Sequence, residues 1–543
     1  MSVLLVQPPI HDFYLTQKRT IPYGLSCIAA SLKSAGFKAE IFDALATKKS
    51  KPIPWPEEMM YLHEYYGCKD LSPFALFHQY RHFGYSFQHI GKIARESNAF
   101  LVGISSLFTA YSEQALKTAK TIKKWHPKAI VVMGGHHPTH FPREVLNHSE
   151  IDFVIRGEGE YSLPALVKAL KNKTTVDNIP GIAYKRGDNA FIINEPAFIT
   201  DIDTCPLPGT ACIKNRFYQR NNQKSLVIVA SRGCPMKCSY CALGNSQCTH
   251  RKKSIRRIIE EISIGIGNAT SAFIDFEDEN ISLNKRWFMD LLIQIHNHFQ
   301  SKDLTLRAMN GLYPLSLDIE MIYAMKKAGF NALNLSVGTL SKKQLKHFNR
   351  PDVSAHLPEI LKLANRLNLP TTSYIIAGGL NQNPYDSVDD IITLFQMKTV
   401  VGLSVFYPAP GSQDFETLKQ IKMLPDNMNL MRGTSIPVSH TTSRIQCVTL
   451  LRLTRIINYI YLMVCNRQTI TVPKVCHKHK LSSGSGNQEQ TGRYLLSCFF
   501  HDGIIRGVDP DGHIFEHHVD TELVKYFFKR LNIKNNPLIT ARL

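Results

Sequence analysis

The sequence predicts an α/β protein made of two successive strand–helix arrays and a smaller α+β end. Three observations predict it. Short apolar runs alternate with amphipathic helical stretches from Val3 to about Ile155, and again from Ser225 to about Tyr407. A stretch with Pro196 and Pro206-Leu207-Pro208 separates the two arrays. Beyond residue 416 the alternation gives way to a long helix, a turn-linked hairpin and a final helix. A chain of 543 residues is too long for one core, and 44% apolar with 20% charged residues is ordinary for a globular protein. The expected division is 1–195, a linker at 196–222, a second unit at 223–416 and a third region at 417–543.

In the first array Val3 to Val6 reads as a strand that ends at Gln7-Pro8-Pro9. Tyr23 to Ala35 reads as a helix with Leu25, Ile28, Ala29 and Leu32 on one face and Gly36 as its stop. Lys38 to Phe42, Phe100 to Ile104, Ala129 to Met133 and Asp152 to Ile155 are further strands, with helices at Glu113 to Trp125 and Tyr161 to Ala169. An aromatic- and histidine-rich insertion occupies about Thr47 to Ile93. Such alternation means a parallel sheet with helices on both faces, which binds ligands at the carboxyl ends of its strands. The loops there are Gln7-Pro8-Pro9, Gly103-Ile104-Ser105-Ser106, Gly134-Gly135-His136-His137-Pro138 and Arg156-Gly157-Glu158-Gly159-Glu160. Their glycines let backbone approach a bulky ligand and their serines can donate hydrogen bonds, but the pattern is not the dinucleotide fingerprint Gly-x-Gly-x2-Gly. Gly187-Asp188-Asn189 between two short runs reads as a hairpin.

The second array opens with the apolar run Ser225 to Ala230 and a loop, Ser231-Arg232-Gly233-Cys234-Pro235-Met236-Lys237-Cys238-Ser239-Tyr240-Cys241. Its Cys-x3-Cys-x2-Cys spacing can offer three thiolates to one face of a four-iron cluster, with one iron left open. A zinc site, with Cys248 or His250 as fourth ligand, and a chance cluster are the alternatives, but no second cysteine pair follows at zinc spacing. Ser254 caps the next helix, and the basic run from Arg251 to Arg257 reads as a solvated face. The strand Ala272 to Phe276 runs into Glu277-Asp278-Glu279-Asn280, carboxylates at a strand end facing a barrel mouth. Asp275 and Glu277 share a face, and Asp278 and Glu279 serve equally well as helix-capping acids. Strands at Leu304 to Ala308, Asn331 to Val337, Leu369 to Ala377 and Val401 to Tyr407, with helices at Leu317 to Ala328, Ser354 to Leu367 and Tyr385 to Met397, make about six β/α units, fewer than a full eight-stranded barrel.

In the third region Thr442 to Cys465 reads as a long helix, Leu481 to Gln490 as a polar flexible stretch, Ile504 to Val508 with His513 to His517 as a hairpin, and Val519 to Leu531 as a helix. Cys476-His477-Lys478-His479 is a weak metal-binding pattern.

On the strand, Gly-Cys-Pro, the cysteine spacing and the aromatic before the last cysteine, the chain resembles the radical S-adenosylmethionine (SAM) superfamily. The resemblance implies a partial (β/α)6 TIM-barrel core with a [4Fe-4S] cluster on Cys234, Cys238 and Cys241. It also implies SAM on the open iron, near Tyr240, Asp275, Glu277, Ser336 and Gly338. Ser336-Val337-Gly338-Thr339-Leu340 lacks the glutamate usual at the fourth strand, and Ala377-Gly378-Gly379-Leu380-Asn381 departs from the run usual after the fifth.

Residues 1 to 185 resemble the cobalamin-binding domain, Rossmann-like and doubly wound, that precedes many radical SAM cores. The matching pieces include Leu4 to Pro9, Ile21-Pro22-Tyr23-Gly24-Leu25, His82-Phe83-Gly84-Tyr85-Ser86 and the four loops above. They imply cobalamin at Pro8, Pro9, Tyr23, Gly24, Ser105, Ser106, Gly134, Gly135, Gly157 and Glu158. Asp-x-His-x2-Gly is absent, so the resemblance implies base-off cobalamin with no protein histidine on cobalt. His136 and His137 could coordinate cobalt as neutral imidazoles or simply hydrogen-bond locally.

The function implied is that of a cobalamin-dependent radical SAM enzyme that transfers a methyl group to an unactivated carbon, through a 5′-deoxyadenosyl radical and methylcobalamin. Alternatives are a rearrangement, cyclisation or oxidation with the same cofactors, and, in another class, a cobalamin-binding sensor or an RNA methylthiotransferase. No catalytic acid or base is assigned. The expected partners are a small-molecule substrate and an electron donor such as ferredoxin or flavodoxin. The net charge of +20 permits an anionic partner, but no RNA-binding module is recognisable, and the charge is read as a basic surface. The first residues lack a basic leader, the best apolar run, Ile456 to Cys465, is short, and twelve cysteines suit a reducing compartment, so a cytoplasmic protein without a membrane span is expected.

Overall fold

The computed structural model of the chain describes residues 1–14, 21–187, 190–209, 213, 217–245, 249–466, 468 and 488–532. Cys248, Asp188, Asn189, the Cys476–His479 pattern and most of the polar stretch at 481–490 lie outside them.

The first array forms one seven-stranded sheet. Its strands are Ser2–Gln7 (β1), Lys38–Asp43 (β2), Leu101–Ser105 (β3), Ile130–Gly134 (β4), Phe153–Ile155 (β5), Ile182–Arg186 (β6) and Ala190–Ile193 (β7). The order is β7-β6-β5-β4-β3-β1-β2, with β1 to β5 parallel and the last two antiparallel. Alternation along each strand builds two cores. Val3 and Leu5 pack with Leu25, Ala29 and Leu32 of helix α1 (Tyr23–Ser34) and with Leu163, Leu166 and Val167 of a later helix. Leu4 and Val6 face the opposite core, with Ile90 and Ala94 of α2 (Phe87–Ser97) and Ala115, Ala119 and Ile122 of α3 (Ser112–Trp125). The later helix is α4 (Gly159–Asn172). After β2 the chain crosses β1 to place β3 on its other side, so the strand order reverses between β1 and β3. That switch point opens a crevice at the carboxyl ends of the two strands, flanked by Pro8-Pro9 and Ser105-Ser106.

Part of the insertion builds a second, smaller sheet. Ser50–Pro52 and Arg81–Phe83 form a small antiparallel sheet with Ile10–Asp12, directly past the two prolines expected to end the first strand. The prolines interrupt the first sheet only, because the chain joins a second sheet after them.

The second array is a partial barrel of six parallel strands: Gln223–Ile228 (β8), Ser271–Phe276 (β9), Asp303–Ala308 (β10), Leu333–Gly338 (β11), Thr371–Ala377 (β12) and Val400–Val405 (β13). It is two three-stranded halves whose join, β10 to β11, is loose. Isolated bridges link Leu306 to Phe330 and Leu312 to Leu335; across the gap the Leu312 N–H donates to the Asn334 carbonyl at 2.6 Å and the Ser336 N–H to the Leu312 carbonyl at 2.8 Å. Helices α5 (Ile255–Ile266), α6 (Lys285–His298), α7 (Ile319–Ala328), α8 (Leu357–Arg366) and α9 (Pro384–Gln396) alternate with the strands. The sequence reading lacks α6, although Asn284 caps it by accepting from the Trp287 N–H.

The third region closes the open side of the barrel. Helix α10 (Arg444–Cys465) starts with a capping box at Ser443 and Gln446. By length and composition α10 could cross a membrane. Its apolar side is nevertheless packed in the protein: Leu450, Leu453, Ile456, Ile457, Ile460 and Met463 are buried in the barrel's main core. Asn458 from this helix accepts from the Val401 N–H at 2.9 Å and donates to the Val401 carbonyl at 2.8 Å. One side chain thus satisfies both backbone groups that edge strand β13 presents at that residue. Helices α11 (Gln488–Asp502) and α12 (Thr521–Leu531) and the hairpin Arg506–Val508 with Ile514–Glu516 complete the region.

Candidate active site between the sheet and the barrel

A cavity of about 960 Å³ separates the carboxyl ends of the first sheet from the mouth of the barrel. All ten residues expected on the cobalamin side line it: Pro8, Pro9, Tyr23, Gly24, Ser105, Ser106, Gly134, Gly135, Gly157 and Glu158. They come from four strand ends and the start of α1, which the sheet topology brings to one edge. Two glycines are sterically required. Gly135 has φ +123°, and a Cβ there would lie 2.5 Å from the Ser106 carbonyl. Gly157 has φ +79°, and its Cβ would lie 2.3 Å from the Ala197 carbonyl. At Gly24 a Cβ would meet nothing within 4 Å, so close packing is not what requires glycine there.

His136 and His137 separate. His136 lines the cavity. His137 is buried, with Nδ1 3.4 Å from Thr109 Oγ1, and burial pulls its imidazole down to about 4. The local hydrogen-bonding reading therefore describes His137.

Two of the cobalamin-side residues also fasten the two arrays together. Glu158 takes a two-pronged grip from Arg251, NH1 at 2.8 Å and NH2 at 2.9 Å, and lies 3.4 Å from Arg232. Arg232 donates to Glu160 at 2.6 Å. The Tyr23 hydroxyl donates to Glu261 Oε1 at 2.8 Å and accepts from Lys253 Nζ at 2.8 Å, and Lys253 pairs with Glu261 at 2.6 Å. Burial raises the Glu158 carboxyl, but the Arg251 hydrogen bonds and the Arg232 charge outweigh it and hold the group below the usual range. The basic run expected to be solvated is thus an interface element. Arg251 and Lys253 are largely buried: the carboxylate partner of Arg251, Glu158, sits on the other array, while Lys253 pairs with Glu261 of its own array and reaches across to the Tyr23 hydroxyl.

On the barrel side, Asp278 organises the cysteine loop. It is buried and accepts from the Ala230 N–H at 3.1 Å, the Ser231 N–H at 2.5 Å and Ser231 Oγ at 2.6 Å. It caps this loop, not a helix. The loop is also held by Ser239 N–H to the Phe348 carbonyl at 3.1 Å, Cys241 N–H to the Cys238 carbonyl at 3.1 Å and Asn349 Nδ2 to the Lys237 carbonyl at 2.8 Å. None of Cys234, Cys238 and Cys241 is in a disulfide. Among the described residues, Asp509, Asp511 and His513, on the exposed C-terminal hairpin, form a group close enough to hold a single ion. Three thiols on one loop, with no second cysteine pair following at zinc spacing, suit a four-iron cluster better than one zinc ion.

The expected SAM residues divide. Glu277 lines the cavity with Glu279. Burial pushes the Glu277 carboxyl up to about 7, with the Asp275 charge adding to the effect. Asp275 lies outside the cavity lining, paired with Arg307. Burial raises it, and Arg307 offsets part of that. Tyr240, Ser336 and Gly338 converge instead on Arg350, which the sequence reading did not single out. Arg350 NH1 donates to the Tyr240 hydroxyl at 3.1 Å and NH2 to Ser336 Oγ at 3.1 Å, and a Cβ at Gly338 would lie 3.1 Å from Arg350 Cδ. The residue follows α-helical Lys342–His347 after a short turn, in no recognisable motif, so its role is visible only in three dimensions.

Comparison with known proteins agrees with this layout. The chain matches the B12 binding domain over residues 78–167 and the radical SAM superfamily over residues 228–395. It is 28% identical over 298 residues to an uncharacterized methyltransferase of Pyrococcus horikoshii, covering 54% of this chain and 63% of that protein. It is 26% identical over 317 residues to the anaerobic magnesium-protoporphyrin IX monomethyl ester cyclase of Cereibacter sphaeroides, covering 57% and 51%. Each match thus spans less than two thirds of the relative's own length. In fold, the chain is similar to the cobalamin-dependent SAM radical enzyme OxsB, solved with aqua-cobalamin and SAM, with a TM-score of 0.62 and 14% identity over 99% of this chain and 79% of that one.

Proposed function

We propose, from its matches to the B12 binding domain and the radical SAM superfamily, that the chain is a cobalamin-dependent methyltransferase acting on an unactivated carbon of a small molecule. The observation that carries this reading is the single cavity, with the strand-end loops of the first sheet on one wall and Arg232, Gly233, Glu277 and Glu279 of the barrel on the other. Two cofactors on opposite walls of one cavity can act on one substrate.

In this reading residues 1–195 hold cobalamin through the ten loop residues named above, residues 223–416 hold the [4Fe-4S] cluster on Cys234, Cys238 and Cys241, and residues 417–543 close the barrel. Glu277 and Asp275, with Tyr240, Ser336 and Gly338, face or frame the SAM position. When bound, the cluster and SAM supply the radical that removes a hydrogen atom, and cobalamin supplies the methyl group. The protein's part is to set the distance between the two sites through Glu158, Arg251, Tyr23 and Glu261, and to wall the cavity from bulk water. A ferredoxin or flavodoxin is the proposed electron donor.

Anaerobic purification with iron, sulfide and cobalamin quantified tests the reading. Cys238→Ala is expected to lose iron and 5′-deoxyadenosine formation while keeping cobalamin; unchanged SAM cleavage in that variant rules out the cluster assignment. The likeness to the Cereibacter cyclase favours a second reading, ring formation with the same cofactors. Transfer of a labelled methyl group to product separates the two.

A further inference from the structure

Arg350 sits where the cysteine loop meets the inner end of β11. A guanidinium has five N–H bonds and no acceptor, and each one here finds a protein partner. Nε donates to the Val337 carbonyl at 3.1 Å. NH2 donates to the Ser336 carbonyl and, at 3.1 Å, to Ser336 Oγ. NH1 donates to the Tyr240 hydroxyl at 3.1 Å and to Cys238 Sγ at 3.8 Å. The guanidinium lies 5.4 Å from the centre of the Tyr313 ring, which fixes its plane from one side. The Tyr313 hydroxyl is itself buried and without a partner. An arginine free to bind a carboxylate would present an open pair of parallel donors. Arg350 presents none, and it lies outside the lining of the large cavity.

We propose that Arg350 is a positioning residue that tunes the cluster by donating an N–H to the Cys238 sulfur, and that it does not bind the SAM carboxylate. The inference rests on the assignment of Cys238 as a cluster ligand. Reduction adds negative charge to a thiolate-ligated cluster, and a cationic donor at a ligand sulfur stabilises the reduced form more than the oxidised one. Arg350 therefore raises the potential at which the cluster accepts an electron from its donor.

The test is a potentiometric titration of the reconstituted wild-type, Arg350→Gln and Arg350→Lys proteins, followed by electron paramagnetic resonance with and without SAM. Both variants are expected to bind wild-type amounts of iron and to show a lower midpoint potential. At a poise that half-reduces the wild type, a tenfold lower ratio of reduced to oxidised cluster corresponds to about 59 mV for one electron. The spectral change that SAM produces is expected to persist. An unchanged potential in iron-replete variants overturns the inference, as does loss of the SAM-induced change at unchanged potential. Should neither variant assemble a cluster, the wild type decides: pulsed paramagnetic resonance of the reduced cluster in protein carrying 15N-guanidinium arginine is expected to show a nitrogen coupling, and its absence overturns the inference. A wild-type protein that takes up no cluster is a separate result, which defeats the proposed function itself.

Discussion

The barrel is gripped on two sides, and the two seams are built from different materials. Toward the first sheet the contact is polar and largely ionic: Glu158 and Glu160 meet Arg251 and Arg232 beside a large cavity, and the Tyr23 hydroxyl bonds to the Glu261–Lys253 pair of the barrel. Toward the third region it is apolar: α10 buries Leu453, Ile456, Ile457 and Ile460 in the barrel core, with Asn458 as a polar clip on the edge strand. The difference follows from what each seam encloses. A dry seam only has to hold, and close apolar packing does that best. A seam around a cavity leaves its polar groups near water, and paired charges fix orientation there without filling the space.

The comparison can be broken from either side. The largest effect is expected for Glu158→Ala, which leaves the mostly buried Arg251 guanidinium without its carboxylate, while Arg232 keeps Glu160. Unpairing a buried ion pair costs about 3–5 kcal/mol, to be read from urea unfolding of the cofactor-free protein. Glu158→Met with Arg251→Met is expected to recover most of that loss; no recovery would show that the pair does more than hold the seam. On the dry side, Ile457→Ala is expected to cost about 3 kcal/mol through lost burial and a residual cavity, with no rescue from any charge change. Asn458→Ala removes two hydrogen bonds from β13 and is expected to cost about 2 kcal/mol. It also exposes an edge, so concentration-dependent aggregation measured by light scattering should rise.

The smallest effect sharpens the electrostatic side. Glu277 has its carboxyl raised by burial to about 7 in the folded protein from an ordinary 4.5. The folded state therefore holds this proton more tightly than the unfolded chain. The contribution favours folding below about pH 4.5 and is lost as pH rises toward 7. Glu277→Gln is expected to flatten the fall of stability across that window in a series of unfolding curves. Asp278, also raised to about 7 by burial, remains in the variant, so the slope should diminish without vanishing. An unchanged slope would mean that Glu277 is hydrated through the cavity.

Much of the fold was legible because its signals are local. The strand–helix alternation predicted β1 to β5 and all six barrel strands to within a few residues, and Ser254 was read correctly as the cap of α5. The loops at the carboxyl ends of the first sheet were read as a group, and they do line one cavity. What escaped has partners far away in sequence. The Arg251 to Arg257 run looked solvated because Glu158 is 93 residues from Arg251. For Asp278 the sequence leaves a site acid and a helix cap equally open, because its three donors come from Ala230 and Ser231, far away in the chain. Helix α6, capped by Asn284 with Phe288, Leu291, Leu292 and Ile295 buried, carries a local signal all the same.

The sequence by itself determined the α/β class, the three-thiol loop and the set of glycine, proline and serine turns, because hydrophobic period and turn chemistry act over a few neighbouring residues. Only the tertiary structure decided that Tyr23 and Glu158 are tied across the seam, that Asn458 guards the barrel's edge, and that Tyr240, Ser336, Gly338 and Cys238 share one arginine. Those outcomes depend on which charges and backbone groups the folded chain leaves facing one another, and a linear pattern does not carry that information.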